Sequence, residues 1–353
     1  MTRIISADSH MLVLDEHVLG HLPSNHHEAY LSQPGAHRKA GFTAESGGSG
    51  ASGASSDASG DAPKGEWDPH ARLADMDLDG VEIEVIYTDP TGGAAFYKLD
   101  PRAGRAAITA FNSAALDFAA VAPSRLVIVH LLPLHDIDAA ITEVHRLADH
   151  GARALQLPLY PGDAGLPLYY DASYEALWSA IEEVGLPVSL HVCPPAGRGL
   201  GKDPTPARGI FQVMPPILMA QPMVELILTG TFTRHPGLRI VLVEAGLSWI
   251  PYMLDRLDRV YHKAGWKARG MALDDLPSDY WRRNMAATFE EDELGLSLRH
   301  HIGVDNLLWA TDYPHPDSTF PNSQKVIATE FAACPPEDVL KMTSANAARL
   351  YRL

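Results

Sequence analysis

Short apolar runs alternate with longer amphipathic segments along most of the chain. The amphipathic segments carry apolar residues at helical spacing and end on glycine, as residues 136–151 and 171–185 do. The apolar runs predict eight strands, at residues 4–7, 81–87, 126–132, 154–159, 187–192, 239–243, 285–289 and 306–311. Eight strands that each precede helical sequence predict a parallel (β/α)8 barrel, the TIM-barrel fold. A doubly wound open sheet is the alternative, but the first strand leads into SADSH and not into a glycine-rich phosphate loop.

One stretch interrupts this alternation. Residues 46–60 contain only Gly, Ser, Ala and one Asp, and the flanking sequence is polar and rich in turn-forming residues. Such a composition cannot bury enough apolar surface to fold, so we predict a flexible insertion over residues 33–65, after the first strand. The same alternation continues on both sides of it. We therefore expect residues 1–353 to form a single domain that contains this insertion.

The composition adds a strong negative charge. The chain has 28 Lys and Arg against 44 Asp and Glu, a formal net charge of -16 at pH 7. Binding to nucleic acid or to an anionic membrane is therefore not expected. The two cysteines, Cys193 and Cys334, are too few for a disulfide scaffold. Without a signal-peptide pattern or a long apolar run, we expect a cytoplasmic protein that acts on a small molecule.

Titratable residues mark the carboxyl ends of four predicted strands. In a (β/α)8 barrel these ends meet at one rim, where the chemistry takes place. Asp8 and His10 lie one pleat apart at the end of the first strand, as either a hydrogen-bonded pair or half of a metal site. The fifth strand ends at His191, the sixth at Glu244 and the eighth at Asp312. Imidazoles and carboxylates at one rim suit a divalent ion such as zinc or manganese.

Each of these residues also has a purely structural interpretation. His191 could bond a backbone carbonyl in the core, and Asp312 could cap the turn that precedes Pro314. Glu244 could pair with an arginine. Because buried strand ends rarely carry unpaired charge, the coincidence of these residues at one predicted rim favours the metal site.

Several longer motifs are distributed over nearly the whole chain outside the insertion. They are ADSH at 7–10, WDPHARLADMDLDGVEIEVI at 67–86, GLPVSLHV at 185–192, HPGLRIVLVEAGLSWIPYMLDRLDR at 235–259, LLWATDYPHPDSTFPNS at 307–323 and NAARLY at 346–351. In order and spacing they resemble the amidohydrolase-related branch of the amidohydrolase superfamily. That branch contains aminocarboxymuconate-semialdehyde decarboxylase and the resorcylate-type decarboxylases.

The resemblance implies a single-metal (β/α)8 enzyme that acts on a small organic acid. It places the ligands of one divalent ion at Asp8, His10, His191 and Asp312, and we expect zinc in preference to manganese. We also expect a homo-oligomer, a dimer, in which residues 197–233 supply part of the pocket wall and a subunit contact.

Arg72 falls at the arginine of the WDP-x-x-R stretch, which in the decarboxylase of this branch binds a substrate carboxylate. The alternative is that Arg72 lies on a helix surface and pairs with Asp75. The sequence does not choose between these two interpretations.

Two residues depart from the pattern of the family. Asp8 stands where the first ligand is often histidine, and Glu244 stands where the decarboxylase has a histidine base. Both add negative charge, so the pKa of Glu244 should rise unless the carboxylate pairs with a cation such as Arg72 or Arg256. A raised pKa would suit a general acid or base. His315 could replace the missing imidazole.

These considerations favour hydrolysis of a small, aromatic or cyclic organic acid through a metal-bound water. In this scheme Asp312 is a ligand and a proton acceptor, and Glu244 or His315 carries a proton to the leaving group. Non-oxidative decarboxylation is the alternative. A non-catalytic barrel that binds a ligand is a third hypothesis, which the predicted four-residue ligand set argues against.

Overall fold

Eight parallel strands pair in chain order within one sheet. The computed structural model describes residues 3–33, 63–88, 93–193, 213–263 and 273–353. The strands are β1 Ile5–His10, β2 Ile83–Tyr87, β3 Leu126–Leu131, β4 Ala154–Leu157, β5 Val188–His191, β6 Ile240–Val243, β7 Met285–Phe289 and β8 Leu307–Trp309. A doubly wound sheet would reverse its strand order at a switch point, so the sequential order identifies the predicted (β/α)8 barrel.

The barrel is nearly closed by contacts between β1 and the segment that follows β8. The amide of Asp312 donates to the carbonyl of Asp8 at 3.1 Å, and the amide of His10 donates to the carbonyl of Tyr313 at 2.6 Å. Ser9 and Tyr313 form an isolated parallel bridge. This seam joins the two segments that carry the first and the last of the predicted ligands.

The strands lie where the sequence predicts them, with ends that differ by a few residues. β1 continues to His10 and not to residue 7, so Asp8 and His10 lie inside the strand, although its register with β2 shifts between Ser6 and Ser9. β8 ends at Trp309 and not at residue 311, so Asp312 lies in the loop beyond it. The differences matter because they place Asp8 and His10 on a strand and Asp312 in a loop.

Helices fill the connections and pack on the outside of the strands. For example, Phe111 packs in one cluster with Ile128 and Leu131 of β3. The helices are α1 Asp15–His21, α2 His27–Leu31, α3 Pro69–Asp79, α4 Pro101–Ala119, α5 Ile137–Asp149, α6 Glu175–Val184, α7 Pro215–Leu218, α8 Ala220–Leu228, α9 Thr231–Arg234, α10 Ile250–Lys263, α11 Pro277–Asn284, α12 Glu293–Ser297, α13 Arg299–Ile302, α14 Ser323–Glu330, α15 Pro336–Leu340 and α16 Asn346–Tyr351.

Apolar side chains fill the inside of the barrel. Alternate strand residues such as Ala7, Val85 and Val243 form this cluster, and Tyr351 of α16 joins it. Alternate residues of a strand face the same side, so the residues between them pack against the helices. The interior is therefore a packed core, and the polar residues at the carboxyl-terminal rim lie above it.

Two predicted features lie largely outside the described residues. Of the insertion predicted at 33–65, only residues 33 and 63–65 are described, and Lys64–Glu66 forms a 3-10 turn that leads towards α3. Of residues 197–233, those from 213 onwards are described: Met219 and Met223 are buried, and Met214 is exposed. The flexible insertion and the dimer contact therefore stay predictions. No helix in the described ranges is long and apolar enough to cross a membrane.

Candidate metal centre

The four predicted ligands come together at the carboxyl-terminal rim, and all four side chains are buried. Nε2 of His10 lies 3.1 Å from Oδ1 of Asp312 and 3.7 Å from Oδ1 of Asp8. Nε2 of His191 lies 3.8 Å from the same Asp8 oxygen. Residues that are far apart in sequence thus present their donor atoms to one small volume. Their role as ligands remains a prediction.

Glu244 belongs to the same set of donors. Its Oε1 lies 3.2 Å from Nε2 of His10 and 3.1 Å from Nε2 of His191. Donor atoms of Asp8, His10, His191 and Glu244 all lie within 4.8 Å of one another. A second group of the same compactness contains His10, Glu244, Asp312 and His315. Glu244 and His10 are therefore common to both groups.

The backbone at two of these residues is strained. Glu244 has φ 54° and Asp312 has φ 56°, in the left-handed region that favours glycine. The amide of Glu244 donates to Oγ1 of Thr288 at 2.8 Å, which helps to hold this conformation. Strain of this kind costs about 1–3 kcal/mol for each residue and is concentrated at functional sites. Its presence at two strand ends supports a functional role for this rim.

The donor set fits a divalent metal ion. Both carboxylate oxygens of Asp8 are buried without a hydrogen-bond partner among the described residues, and the 3.1 Å contacts of Nε2 of His191 and Oδ1 of Asp312 do not meet hydrogen-bond geometry. Buried polar atoms normally find partners, so these atoms indicate an additional ligand. Nδ1 of His191 donates to the carbonyl of Val192 at 2.9 Å, so the neutral form of this ring would present its Nε2 lone pair to a metal ion. Imidazole and carboxylate together suit zinc and manganese.

The carboxyl groups of the site have pKa values that are shifted in opposite directions. Burial, followed by the nearby carboxylates of Glu244 and Asp312, raises the pKa of Asp8 well above its usual value. Burial also raises the pKa of Glu244, but the imidazoles of His191 and His10 outweigh it and hold this pKa well below its usual value. Of the two outcomes that the sequence left open for Glu244, a raised pKa or pairing with a cation, the pKa is lowered, and the partners are imidazoles and not the arginines that we named. Arg256, which we considered as its partner, is exposed on α10.

His315 completes the cluster from the loop after β8. Its ring stacks on that of His10 with 4.1 Å between centroids, and its Nδ1 donates to Oδ2 of Asp312 at 2.8 Å. Burial lowers the pKa of His315, but the carboxylates of Asp312 and Glu244 raise it to about 9. Nε2 of His315 is buried without a partner in the described part of the chain. The imidazole of His315 therefore stays protonated at neutral pH and donates its Nδ1 proton to the carboxylate of Asp312.

Arg72 is fully buried, so it does not lie on a helix surface as the structural interpretation expected, whereas its contact with a substrate carboxylate stays a prediction. Its Nε donates to Oε2 of Glu84, and its Nη1 donates to the carbonyl of His10 at 2.6 Å. Asp75 instead accepts a hydrogen bond from the hydroxyl of Tyr313 at 2.5 Å. Arg72 is thus directed at the backbone of His10 and at the carboxylate of Glu84, with which its positive charge is paired.

Two residues near the site escaped the sequence analysis. Glu290 directly follows β7, and one of its oxygens lies within 4.8 Å of donor atoms of Asp8 and Asp312. Its position directly after a predicted strand could have identified Glu290 as a site residue from the sequence. Glu66 is 5% exposed, and burial raises its pKa to about 7 against the lowering effect of His315 and Arg72. Nothing in the sequence marks Glu66, because its burial depends on the tertiary fold.

The sequence matches the amidohydrolase family over residues 7–353. The chain therefore belongs to this family, as the motifs implied. Gamma-resorcylate decarboxylase of Rhizobium sp. (strain MTP-10005) is 28% identical over 309 residues, which cover 80% of this chain and 86% of that protein.

Solved structures share the fold over the full length of the chain. The structure of 5-carboxyvanillate decarboxylase from Sphingomonas paucimobilis has a TM-score of 0.74 at 23% identity and covers 100% of both chains. A 5-carboxyvanillate decarboxylase from Novosphingobium aromaticivorans, complexed with manganese and 4-hydroxy-3-methoxy-5-nitrobenzoic acid, has a TM-score of 0.76 at 19% identity. That match covers 100% of this chain and 96% of the other.

These comparisons contradict hydrolysis, which the sequence led us to expect as the leading reaction. The Rhizobium relative, whose match covers 80% of this chain, is named as a decarboxylase. Our argument for hydrolysis rested on the missing histidine base at Glu244. The structure weakens it, because His315 brings a third imidazole to the site and stacks on His10.

Proposed function

We propose that this protein catalyses the non-oxidative decarboxylation of a small aromatic acid and requires one divalent metal ion. The observation that carries the proposal is the buried set of imidazole and carboxylate atoms that lack partners at the barrel rim. The relative that is 28% identical over 80% of this chain, a gamma-resorcylate decarboxylase, supports the reaction type and an aromatic acid as substrate. We further propose that residues 1–353 work as one domain, since hydrogen bonds between β1 and the loop after β8 join the first strand to the last part of the barrel.

We assign the metal to Asp8, His10, His191 and Asp312, with Glu244 as an additional donor between the two imidazoles. When bound, a divalent ion would supply Lewis acidity at the anionic oxygens of the substrate. We favour manganese over the zinc that we expected from sequence. A set with three carboxylates suits this harder ion, and a structural neighbour is complexed with manganese.

The reaction also needs a proton, for which we propose the Asp312–His315 pair. In decarboxylation the bond between the ring carbon and the carboxylate carbon breaks, carbon dioxide leaves, and a proton takes its place on the ring carbon. Nδ1 of His315 donates to Oδ2 of Asp312 at 2.8 Å, and Oδ1 of Asp312 faces the donor set without a partner among the described residues. His315 can therefore pass its proton to Oδ2 of Asp312, and this oxygen can deliver the proton to the ring carbon while Oδ1 faces the metal site.

The test is an assay of the manganese-loaded protein with a panel of hydroxybenzoic acids in deuterated water. We expect release of carbon dioxide and one deuterium on the ring carbon that carried the carboxylate. Protein stripped of metal with a chelator, and protein with Asp312→Asn, are the controls and should give neither signal. Incorporation of oxygen-18 from labelled water into the product, without carbon dioxide, would instead establish hydrolysis and overturn the proposal.

A further inference from the structure

Arg72 is a buried cation that contacts two strands of the barrel. It extends from α3 and is 0% exposed. Its Nε donates to Oε2 of Glu84 on β2, and its Nη1 donates to the carbonyl of His10 at the end of β1 at 2.6 Å. The same Nη1 lies 3.4 Å from the carbonyl of Gly65. The guanidinium thus links α3 and β2 to the backbone of a proposed metal ligand.

The other face of this guanidinium contacts the loop after β8. Its central carbon lies 4.4 Å from the centroid of the Tyr313 ring, and the hydroxyl of Tyr313 donates to Oδ2 of Asp75 at 2.5 Å. The carbonyl of Tyr313 accepts from the amide of His10 at 2.6 Å. Tyr313 directly follows Asp312 in the chain. Arg72 therefore contacts both sides of the seam at which the barrel closes.

Stability alone is a poor explanation for this arrangement. A buried ion pair loses its hydration, and replacement by apolar residues often leaves stability equal or improved. Nη2 of Arg72 is also buried with no hydrogen-bond partner in the described ranges, which adds a further cost. The guanidinium is nevertheless directed at the backbone of β1 and at the Tyr313 ring, beside three of the four proposed ligands.

We propose that Arg72 is a positioning residue of the metal centre. It holds the end of β1 and the loop after β8 in register, so that Asp8, His10 and Asp312 keep the separation that a metal ion requires. This role acts through the backbone of β1 and the Tyr313 ring and needs no direct contact with the ion. Arginine suits this task because its planar fork donates in two directions and stacks on a ring, whereas lysine offers one point charge. The inference rests on the metal site of the proposed function and is independent of the reaction.

The test measures binding of manganese(II) alone, by the electron paramagnetic resonance signal of the free ion, at a temperature at which circular dichroism shows each variant folded. Arg72→Met leaves Glu84 as a buried, unpaired carboxylate and can fail to fold, so Arg72→Met/Glu84→Gln, which removes both charges, is the main variant. We expect its affinity for manganese(II) to fall about 10–100-fold, the usual effect of removing a group that orients a ligand. Glu84→Gln alone keeps the bond from Arg72 to His10 and should bind as the wild type does.

The matched control is a less deeply buried ion pair that is not part of the proposed metal site, between Arg299 of α13 and Asp338 of α15. Nε of Arg299 lies 2.8 Å from Oδ2 of Asp338, and the two side chains are 12% and 10% exposed. Arg299→Met/Asp338→Asn should change stability but not affinity for manganese(II). Equal affinity in the Arg72 double variant and the wild type would overturn the positioning role, as would an equal loss in the Arg299 control. A wild type that binds no manganese(II) would overturn both proposals, whereas one that binds it but releases no carbon dioxide would overturn the proposed reaction alone.

Discussion

At the scale of single residues, the carboxylate of Glu244 decides how the site works. It touches the Nε2 atoms of both His10 and His191, which hold its pKa well below the usual range, although burial alone would raise it. A carboxylate that stays ionised cannot donate a proton. Asp312 accepts a hydrogen bond from Nδ1 of His315, and in our proposal this pair carries the proton. The two strained strand ends at Glu244 and Asp312 thus have separate roles in our proposal.

Glu244→Gln tests the first of these roles. We expect a loss of affinity for manganese(II) of about 10-fold or more, together with loss of activity, because the amide removes an anionic donor between the two imidazoles. Calorimetric titration with manganese(II) measures the affinity. Full affinity with a reduced kcat would show that Glu244 acts in proton transfer and is not a donor to the metal.

His315→Gln tests the second role and is the matched comparison. The amide keeps the size and polarity of the side chain but cannot carry a proton, so we expect kcat to fall about 100-fold or more while affinity for manganese(II) is retained. Steady-state kinetics at saturating metal measure kcat. An unchanged kcat would remove His315 from the proton pathway.

Glu66 gives a prediction for stability against pH. Burial raises its pKa from 4.5 to about 7, so its contribution to stability is fully present below pH 4.5 and is lost as the pH rises through 7. The full loss is about 3 kcal/mol, from the shift in pKa. Glu66→Gln cannot ionise, so its free energy of unfolding relative to the wild type should rise between pH 4.5 and pH 8. Denaturation at each pH measures this difference, and Glu16→Gln, at a side chain 77% exposed, is the control.

At the scale of elements, the short turn Lys64–Glu66 packs against the loop after β8. A Cβ atom added to Gly65 would lie 2.5 Å from the hydroxyl of Tyr313 and 2.6 Å from Oδ2 of Asp75. Both distances are too short for a carbon contact, so a larger residue would force the Tyr313 and Asp75 side chains, or the turn itself, to move. The turn is therefore a third element, beside α3 and β1, that fixes the position of Tyr313.

Gly65→Ala tests this close approach. We expect a loss of about 1–3 kcal/mol in the free energy of unfolding, because the added methyl group overpacks the contact. The control is Gly20→Ala in α1, where a Cβ would meet nothing within 4 Å, and a helical glycine replaced by alanine should gain about 0.5–1 kcal/mol. Urea denaturation of both variants measures these values. A destabilisation at Gly20 equal to that at Gly65 would refute the steric explanation.

The elements also show what could be predicted from the sequence. Apolar periodicity and strand-end position sufficed for the barrel and for bringing Asp8, His10, His191 and Asp312 to one rim. Arg72 could not be placed, because its motif shows a helix but not which face of the helix is buried. The pKa of Glu244 could not be predicted either, because its sign depends on two imidazoles contributed by other strands.

At the scale of the whole molecule, the acidic charge and the position of the site are related. The formal net charge of -16 would repel an anionic substrate from the bulk surface. The donor atoms meet at the rim of one barrel, next to the seam that joins its two ends. A bound divalent ion would offset the carboxylates of that rim and offer a Lewis acid to the anionic oxygens of a substrate, so metal binding and recognition of an acid would take place at the same point.

The insertion gives the last prediction. Residues 46–60 have no side chain larger than Asp and no apolar side chain larger than Ala, so they have little to add to a core. Deletion of 46–60 roughly halves the segment between α2 and the Lys64–Glu66 turn. Closing a loop of half the length costs about 0.6 kcal/mol less in free energy, because less conformational entropy is lost. We therefore expect an equal or slightly higher Tm in scanning calorimetry. A shuffled sequence of the same composition is the control, and it should match the wild type in both Tm and activity if the segment is only a tether. A large fall in Tm on deletion would show that these residues pack against the barrel, and a loss of activity at unchanged Tm would assign them to the site.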